Sequence, residues 1–277
     1  MKDCLNGAAK LAVHDPAAPA SQPILGTVGG LRWRSDKVTA GPWDFGGTVA
    51  IVTGGGRGIG RATAELLAGA GAQVLICARS QAEVEAVAAE TPGVQALVGD
   101  IADEAFVESL VARAVTAFGR LDILVNNAAV LGRQEFLDLT PDLWDSVMAV
   151  NLRGAYLCCR AAFRQMTQQL PTGGRIVNIS SLSGVRGPEK FPGLAAYNVS
   201  KAGILALSDI LAVEGKPHGI RVNTVSPGAV DTAMLRQAGH GLKALATPED
   251  VARTIAFLAS DLSHPATGAN IEVLSNG

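Results

Sequence analysis

A chain of 277 residues with 48% hydrophobic and 17% charged residues and a mean hydropathy of +0.26 can bury a substantial core, which excludes disorder over most of its length. A formal net charge of −2 and an isoelectric point of about 6.1 leave no electrostatic footprint for nucleic acid or an anionic membrane. Cys4, Cys77, Cys158 and Cys159 have neither zinc-site nor disulfide-framework spacing and read as reduced core thiols of a cytoplasmic protein.

Residues 1–45 are rich in Ala, Pro and Gly without periodicity. They lack the charged start and apolar run of a secretory signal, so a flexible or loosely docked extension is expected there. The remainder, 46–277, reads as a single domain. From Thr48 onward β-rich runs alternate with helical patterns. The runs are 48–53, 73–78, 94–99, 122–127, 175–180, 220–226 and 270–274. Helical patterns cover 60–70, 81–90, 104–118, 142–168, 196–215 and 248–259. Strand–helix alternation with nearly continuous apolar strands predicts an α/β fold, a doubly wound, seven-stranded parallel sheet with helices on both faces. Ligands of such sheets bind at the carboxyl ends of the strands, near the switch point. No run of 18 apolar residues suggests a membrane span.

The first strand runs directly into "TGGGRGIG" (53–60) and the first long helix. Gly54, Gly58 and Gly60 let the backbone turn tightly and approach a pyrophosphate, and the helix start offers free N–H groups to it. The second strand ends "VLICARS". A carboxylate at that place accepts from the ribose hydroxyls of NAD, and an arginine nearby suits the extra phosphate of NADP. Ala78 stands where the acid would be and Arg79 follows, with Arg57 in the glycine turn as a second positive charge. NADP(H) is therefore favoured over NAD(H).

Tyr197 precedes Lys201 by four residues in "AAYNVSKAG" (195–203), a spacing that stacks the two side chains one helical turn apart. The pair is open to two readings, a solvated polar pair or a phenol whose acidity an ammonium group tunes.

These motifs together resemble the short-chain dehydrogenase/reductase family. T-G-x-x-x-G-x-G matches Thr53–Gly60, "NNAA" (126–129) stands for the family's N-N-A-G, and "VNLRG" carries Asn151. "SS" (180–181), Tyr197-x-x-x-Lys201 and "SPG" (226–228) follow in the family's order, so the likeness runs from about Phe45 to the end. The resemblance implies hydride transfer between a nicotinamide and a ketone or secondary alcohol, with Tyr197 as general acid/base. Lys201 would lower the phenol's pKa and bond the cofactor's ribose, Ser181 would polarise the substrate carbonyl, and Asn151 would hold a water linking Lys201 to solvent. Ser180 and Ser183 are near alternatives to Ser181. By the same resemblance Asp100 would take the adenine amino group, with a helix-start residue before "ADEAFVESL" as the equal alternative, Asn127 would flank the ribose, and Gly228 and Thr232 would orient the nicotinamide amide. Ile59, Ile101, Ala128 and Pro227 complete the expected cofactor-binding set. No metal is implied. Pairing into dimers or tetramers through the two long apolar helices is expected.

The chain also departs from the family. Ser181 to Tyr197 spans 16 positions, about three more than in compact members, with the extra length near "GVRGPEKFPG" (184–193). The lid after Thr232 is short (233–246), His240 reads as a loop residue, and the end "EVLSNG" lacks the usual Gly-Gly. A 3-oxoacyl-[acyl-carrier-protein] reductase is the nearest competing function; it would want a basic patch, for which Arg133, Arg153 and Arg186 are candidates. A catalytically idle cofactor-binding protein is the alternative of another class, opposed by the presence of both Tyr197 and Lys201.

Overall fold

The computed structural model describes residues 42–188, 190–238 and 243–273. The described residues all fall within one compact unit, Lys37–Gly277. Expectations for nearly all of the N-terminal extension, for Cys4 and His240, and for the chain after Val273 lie outside the described residues.

Seven parallel strands form one sheet in the order β3-β2-β1-β4-β5-β6-β7. They are β1 (Val49–Thr53), β2 (Gln73–Ala78), β3 (Val94–Val98), β4 (Ile123–Asn126), β5 (Gly174–Ile179), β6 (Ile220–Pro227) and β7 (Asn270–Val273). The helices are α1 (Gly58–Gly69), α2 (Gln81–Glu90), α3 (Glu104–Phe118), α4 (Pro141–Met148), α5 (Ala155–Gln168), α6 (Ala195–Gly215), α7 (Ala233–Ala238) and α8 (Pro248–Ala259). The doubly wound parallel sheet is thus as expected, and strand order reverses between β1 and β4, where such sheets hold ligands.

Alternate residues of the β-branched strands feed two cores. Ala50, Val52, Ile76 and Val125 pack with α1 and α8 residues on one face, and Ile51, Leu75, Leu124 and Ile176 with α3 and α5 residues on the other. Each fully buried Ile or Leu contributes roughly 1.5–3 kcal/mol, which fixes the register on both sides. Cys77, Cys158 and Cys159 are free and buried in the second core, as expected.

Two helical expectations change. The long helix over 142–168 is divided by a π-helical turn, Ala149–Gly154, that periodicity does not reveal. The stretch Ala195–His218 has the length and composition of a membrane span, mean hydropathy 1.2, although no such span is expected from the sequence. It is 39% buried: Ile204, Ala212, Tyr197 and Lys201 lie on the buried face, and Val199, Ile210 and Val213 are exposed.

Candidate active site

The glycine turn is held shut by its neighbours. Gly54 N donates to the Cys77 carbonyl at 2.7 Å, and Thr53 Oγ1 accepts from both Asn127 N and Ala128 N at 3.0 Å. Gly54 has φ +66°, and a Cβ there would lie 2.9 Å from Ala128 Cα. A Cβ on Gly60 would stand 2.2 Å from the Gly54 carbonyl oxygen, so only glycine lets α1 sit against the turn. Arg57 at the start of α1 caps no backbone group with its side chain, and neither does Ser80 at the start of α2. In contrast, Asp103, Thr140 and Thr247 cap α3, α4 and α8. The α1 and α2 starts thus leave N–H groups available to an anion.

A cavity of about 1150 Å³ runs from this turn, past the ends of β2 and β4, to α6 and α7. Every expected site residue lines it except Gly60, whose part is packing, and Asn151. Asn151 is 1% exposed within the π-helical turn. Its Oδ1 accepts from Val130 N at 2.8 Å, and its Nδ2 donates to Val130 O at 2.9 Å and Ser200 Oγ at 3.1 Å. The amide thereby fixes the Val130 wall of the cavity. Through Ser200, which donates to the Tyr197 carbonyl at 2.8 Å, it also reaches the turn of α6 that carries the tyrosine.

Tyr197 and Lys201 are both buried, 8% and 3% exposed, which removes the solvated-pair reading of their spacing. Burial pushes the Tyr197 phenol above its ordinary value, and a hydrogen bond with the Ser181 side chain draws it part of the way back. Burial also pushes Lys201 down to about 8. The expected lowering of the phenol by Lys201 does not appear. Lys201 Nζ lies 5.7 Å from the ring centroid and donates to the Ile179 carbonyl at 2.7 Å, while desolvation opposes both charged forms. Among the three serines, Ser181 is the partner of Tyr197. Ser180 is 2% exposed and donates to the Lys201 carbonyl at 2.7 Å.

At the other end Asp100 Oδ1 accepts from Ala102 N at 2.9 Å, a turn contact, and its Oδ2 lies 3.9 Å from Arg79. The Asn127 amide donates to the carbonyls of Thr53 and Gly54, at 2.9 and 3.2 Å, and so braces the turn. Thr232 Oγ1 accepts from Leu235 N at 3.3 Å at the start of α7, the short helix of the lid. The lid's base is tied by a bridge between Val230 and Ala246. Arg133 Nη1 donates to the Ala238 carbonyl at 2.8 Å, and Arg153 donates to the Ala102 carbonyl at 2.7 Å and faces Glu104 at 3.7 Å. Two of the three arginines considered for a basic docking patch are therefore engaged within the fold.

Thr53, Ser80, Glu83, Val130 and Ser200 escape the sequence reading. Thr53 and Ser200 lie inside or beside recognised motifs, but their hydrogen bonds depend on pairing across the sheet or between helices. Glu83 is a first-turn helix acid whose closeness to Arg57 depends on the fold. Among the described residues no cluster of His, Cys, Asp or Glu could hold a metal ion.

A dinucleotide-type parallel sheet with a glycine turn at its switch point and a buried Tyr–Lys pair in the same cavity defines a nicotinamide-dependent oxidoreductase fold. The family model described as enoyl-(acyl carrier protein) reductase matches residues 54–274. The chain is 37% identical to carbonyl reductase (NADPH) 2 of Sus scrofa over 83% of its own length and 96% of the relative's. It is 36% identical to the 3-oxoacyl-(acyl-carrier-protein) reductase of Synechocystis sp., over 77% of its length and 89% of that protein's. The crystal structure of a 3-ketoacyl-(acyl-carrier-protein) reductase from Brucella melitensis complexed with NADH superposes with a TM-score of 0.77. It is 33% identical, and the match covers 83% of this chain and 98% of that one. The chain belongs to the short-chain dehydrogenase/reductase family, oxidoreductases that bind a nicotinamide cofactor.

Proposed function

We propose that residues 46–277 form a catalytic domain that interconverts a ketone and a secondary alcohol using NADP(H), with Tyr197 as general acid/base. The observation that carries this reading is the buried Tyr197 phenol, hydrogen-bonded with Ser181 on the wall of the cavity that begins at the glycine turn. That cavity fits a dinucleotide: Gly54, Gly56 and Gly58 line it at the turn, the uncapped starts of α1 and α2 border it, and Arg57 and Arg79 flank the end of β2. The nicotinamide supplies the hydride in reduction and accepts it in oxidation.

The chain's own residues handle the proton. The Tyr197 phenol is protonated at neutral pH and donates to the oxygen that becomes an alkoxide in reduction; burial strengthens its hold on the proton, and the Ser181 hydrogen bond works against that. Ser181 hydrogen-bonds that same oxygen and orients it. The Ser181 contact also favours the phenolate that remains. Lys201, held by the Ile179 carbonyl, is close enough to its own pKa of about 8 to exchange a proton near neutrality. Asn151, Ser200 and Thr53 position the walls; Gly54, Gly58 and Ile59 carry the turn, with Asp100, Ile101, Asn127 and Ala128 along its side. Pro227, Gly228 and Thr232 border the nicotinamide end. Val199, Ile210 and Val213 are exposed apolar residues on α6, which supports pairing with a second copy.

A carrier-bound 3-oxoacyl thioester is the second reading, favoured by the Synechocystis relative and the Brucella neighbour. The internal engagement of Arg133 and Arg153 weighs against it. The test is oxidation of NADPH and NADH with simple ketones, cyclic ketones and 3-oxoacyl thioesters. Turnover of a free ketone with NADPH supports the leading reading, preference for the carrier-bound thioester selects the second, and cofactor binding without any turnover rejects both.

A further inference from the structure

Four charged side chains, two of each sign, line the cavity where β2 ends. Arg57 Nη1 is 3.3 Å from Glu83 Oε1, and Arg79 Nη1 is 3.9 Å from Asp100 Oδ2. Counting only the arginines, as the sequence invites, gives two positive charges; counting the carboxylates brings the sum to zero.

Glu83 differs from Asp100 in how it is committed. The Asp100 carboxylate also accepts from Ala102 N, so it has a structural task in the turn after β3. The polar contact of Glu83 is with Arg57. Its stem lies over the glycine turn itself: a Cβ added to Gly56 would be 2.8 Å from Glu83 Cβ. The carboxylate is thus carried to the cavity rim by contact with the cofactor's own loop.

We infer that Glu83 is a specificity-determining residue that holds down this protein's preference for NADP(H) over NAD(H). The inference rests on the proposed nicotinamide site. A phosphate of about −2 charge shares the Arg57 guanidinium with Glu83, whose charge already offsets part of it, and it also meets the repulsion of that carboxylate. NAD(H), with hydroxyls in the same place, meets neither penalty. Glu83 could instead help by holding Arg57 ready. However, both partners are substantially exposed, side chains 65% and 37%, and exposed pairs contribute little ordering energy. Repulsion of a doubly charged group outweighs that help.

The test is the dissociation constant of NADPH, NADH, 2′,5′-ADP and 5′-AMP for the full chain, read by fluorescence and by competition. It is run on wild type, Glu83→Gln and Glu83→Ala, with thermal melting as the fold control. Both variants are expected to bind NADPH and 2′,5′-ADP roughly three- to tenfold tighter, the size a screened single-charge contact reaches. NADH and 5′-AMP are expected to stay within about twofold. An unchanged or weakened 2′,5′-ADP affinity in both variants, with the fold intact, overturns the inference. If wild type prefers 2′,5′-ADP and the variants do not shift, the NADP reading survives alone. If wild type shows no preference and the variants gain one, this inference holds and the wild-type NADP preference falls. Failure of all four ligands to bind rejects both.

Discussion

The two ends of the cavity handle charge in opposite ways. Where α6 meets the cavity the Tyr197–Lys201 pair is buried, and its proton affinities move: Tyr197 up, Lys201 down to about 8. At the β2 end the ionisable groups are many, exposed and paired, with Arg57 and Arg79 facing Glu83 and Asp100. Desolvation governs the first end and mutual neutralisation the second. Chemistry at the buried end therefore depends on individual atoms, whereas recognition at the exposed end depends on a sum of charges that single substitutions adjust by small factors.

The largest expected effect is at the buried end. Tyr197→Phe removes the proton donor and is expected to lower kcat by about 10²-fold or more while NADPH still binds, measured by steady-state kinetics and fluorescence titration. Gly60→Ala comes next. Its Cβ would meet the Gly54 carbonyl at 2.2 Å, so the turn and α1 must part. A stability loss of about 1–3 kcal/mol is expected from such overpacking, together with weakened binding of both cofactors, by denaturant melts and titration.

Lys201→Met separates function from stability. Lys201 in the folded chain titrates near 8, against 10.5 unperturbed. Between those values the unfolded chain keeps a proton that the folded chain has released, so stability rises with pH across that window. Below about 8 both states are protonated and the full cost of burying the ammonium is present. Removing it relieves roughly 3 kcal/mol, offset by about 1–3 kcal/mol for the Ile179 carbonyl left without its donor. The variant is therefore expected to lose activity yet melt at or slightly above wild type at pH 6–7, with any advantage over wild type shrinking toward pH 10. A melting temperature well below wild type at every pH would break the contrast between the two ends.

The smallest effects belong to the exposed end. Arg79→Gln is expected to weaken NADPH severalfold, about what a solvent-exposed contact contributes, and to leave NADH unchanged. Raising salt from about 0.05 to 0.5 M is expected to narrow the NADPH/NADH affinity ratio, while the loss caused by Tyr197→Phe stays constant. Salt sensitivity of that loss would mean that the buried end is more solvated than its exposure indicates.

Much of this was legible in the residues. Near-continuous apolar strands such as Val49–Thr53 read as a buried parallel sheet, and Gly54, Gly58 and Gly60 marked the turn because few residue types suit those positions. Helices with strong local signals, Gln81–Glu90, Glu104–Phe118 and Pro248–Ala259, have the expected bounds. The π-helical turn at Ala149–Gly154 was not legible, since it goes with tertiary bonds such as Asn151 to Val130 that no local pattern shows. The direction of the Tyr197 shift was misread because spacing shows proximity to Lys201 and not burial. Glu83 escaped for the same reason: its carboxylate is 26 positions from Arg57 in the chain and 3.3 Å from it in space.

The central claim is that the buried Tyr197 phenol is the proton donor in carbonyl reduction. It is tested most directly by kcat for the best ketone with NADPH from pH 6 to 10, in wild type and Tyr197→Phe, with NADPH affinity measured alongside. Because burial holds the phenol above its ordinary value, the account predicts no loss of the proton donor through neutral pH, and a variant that binds NADPH normally but is slower by about 10²-fold or more at every pH. A variant within a few-fold of wild type, with the same pH profile, would contradict it.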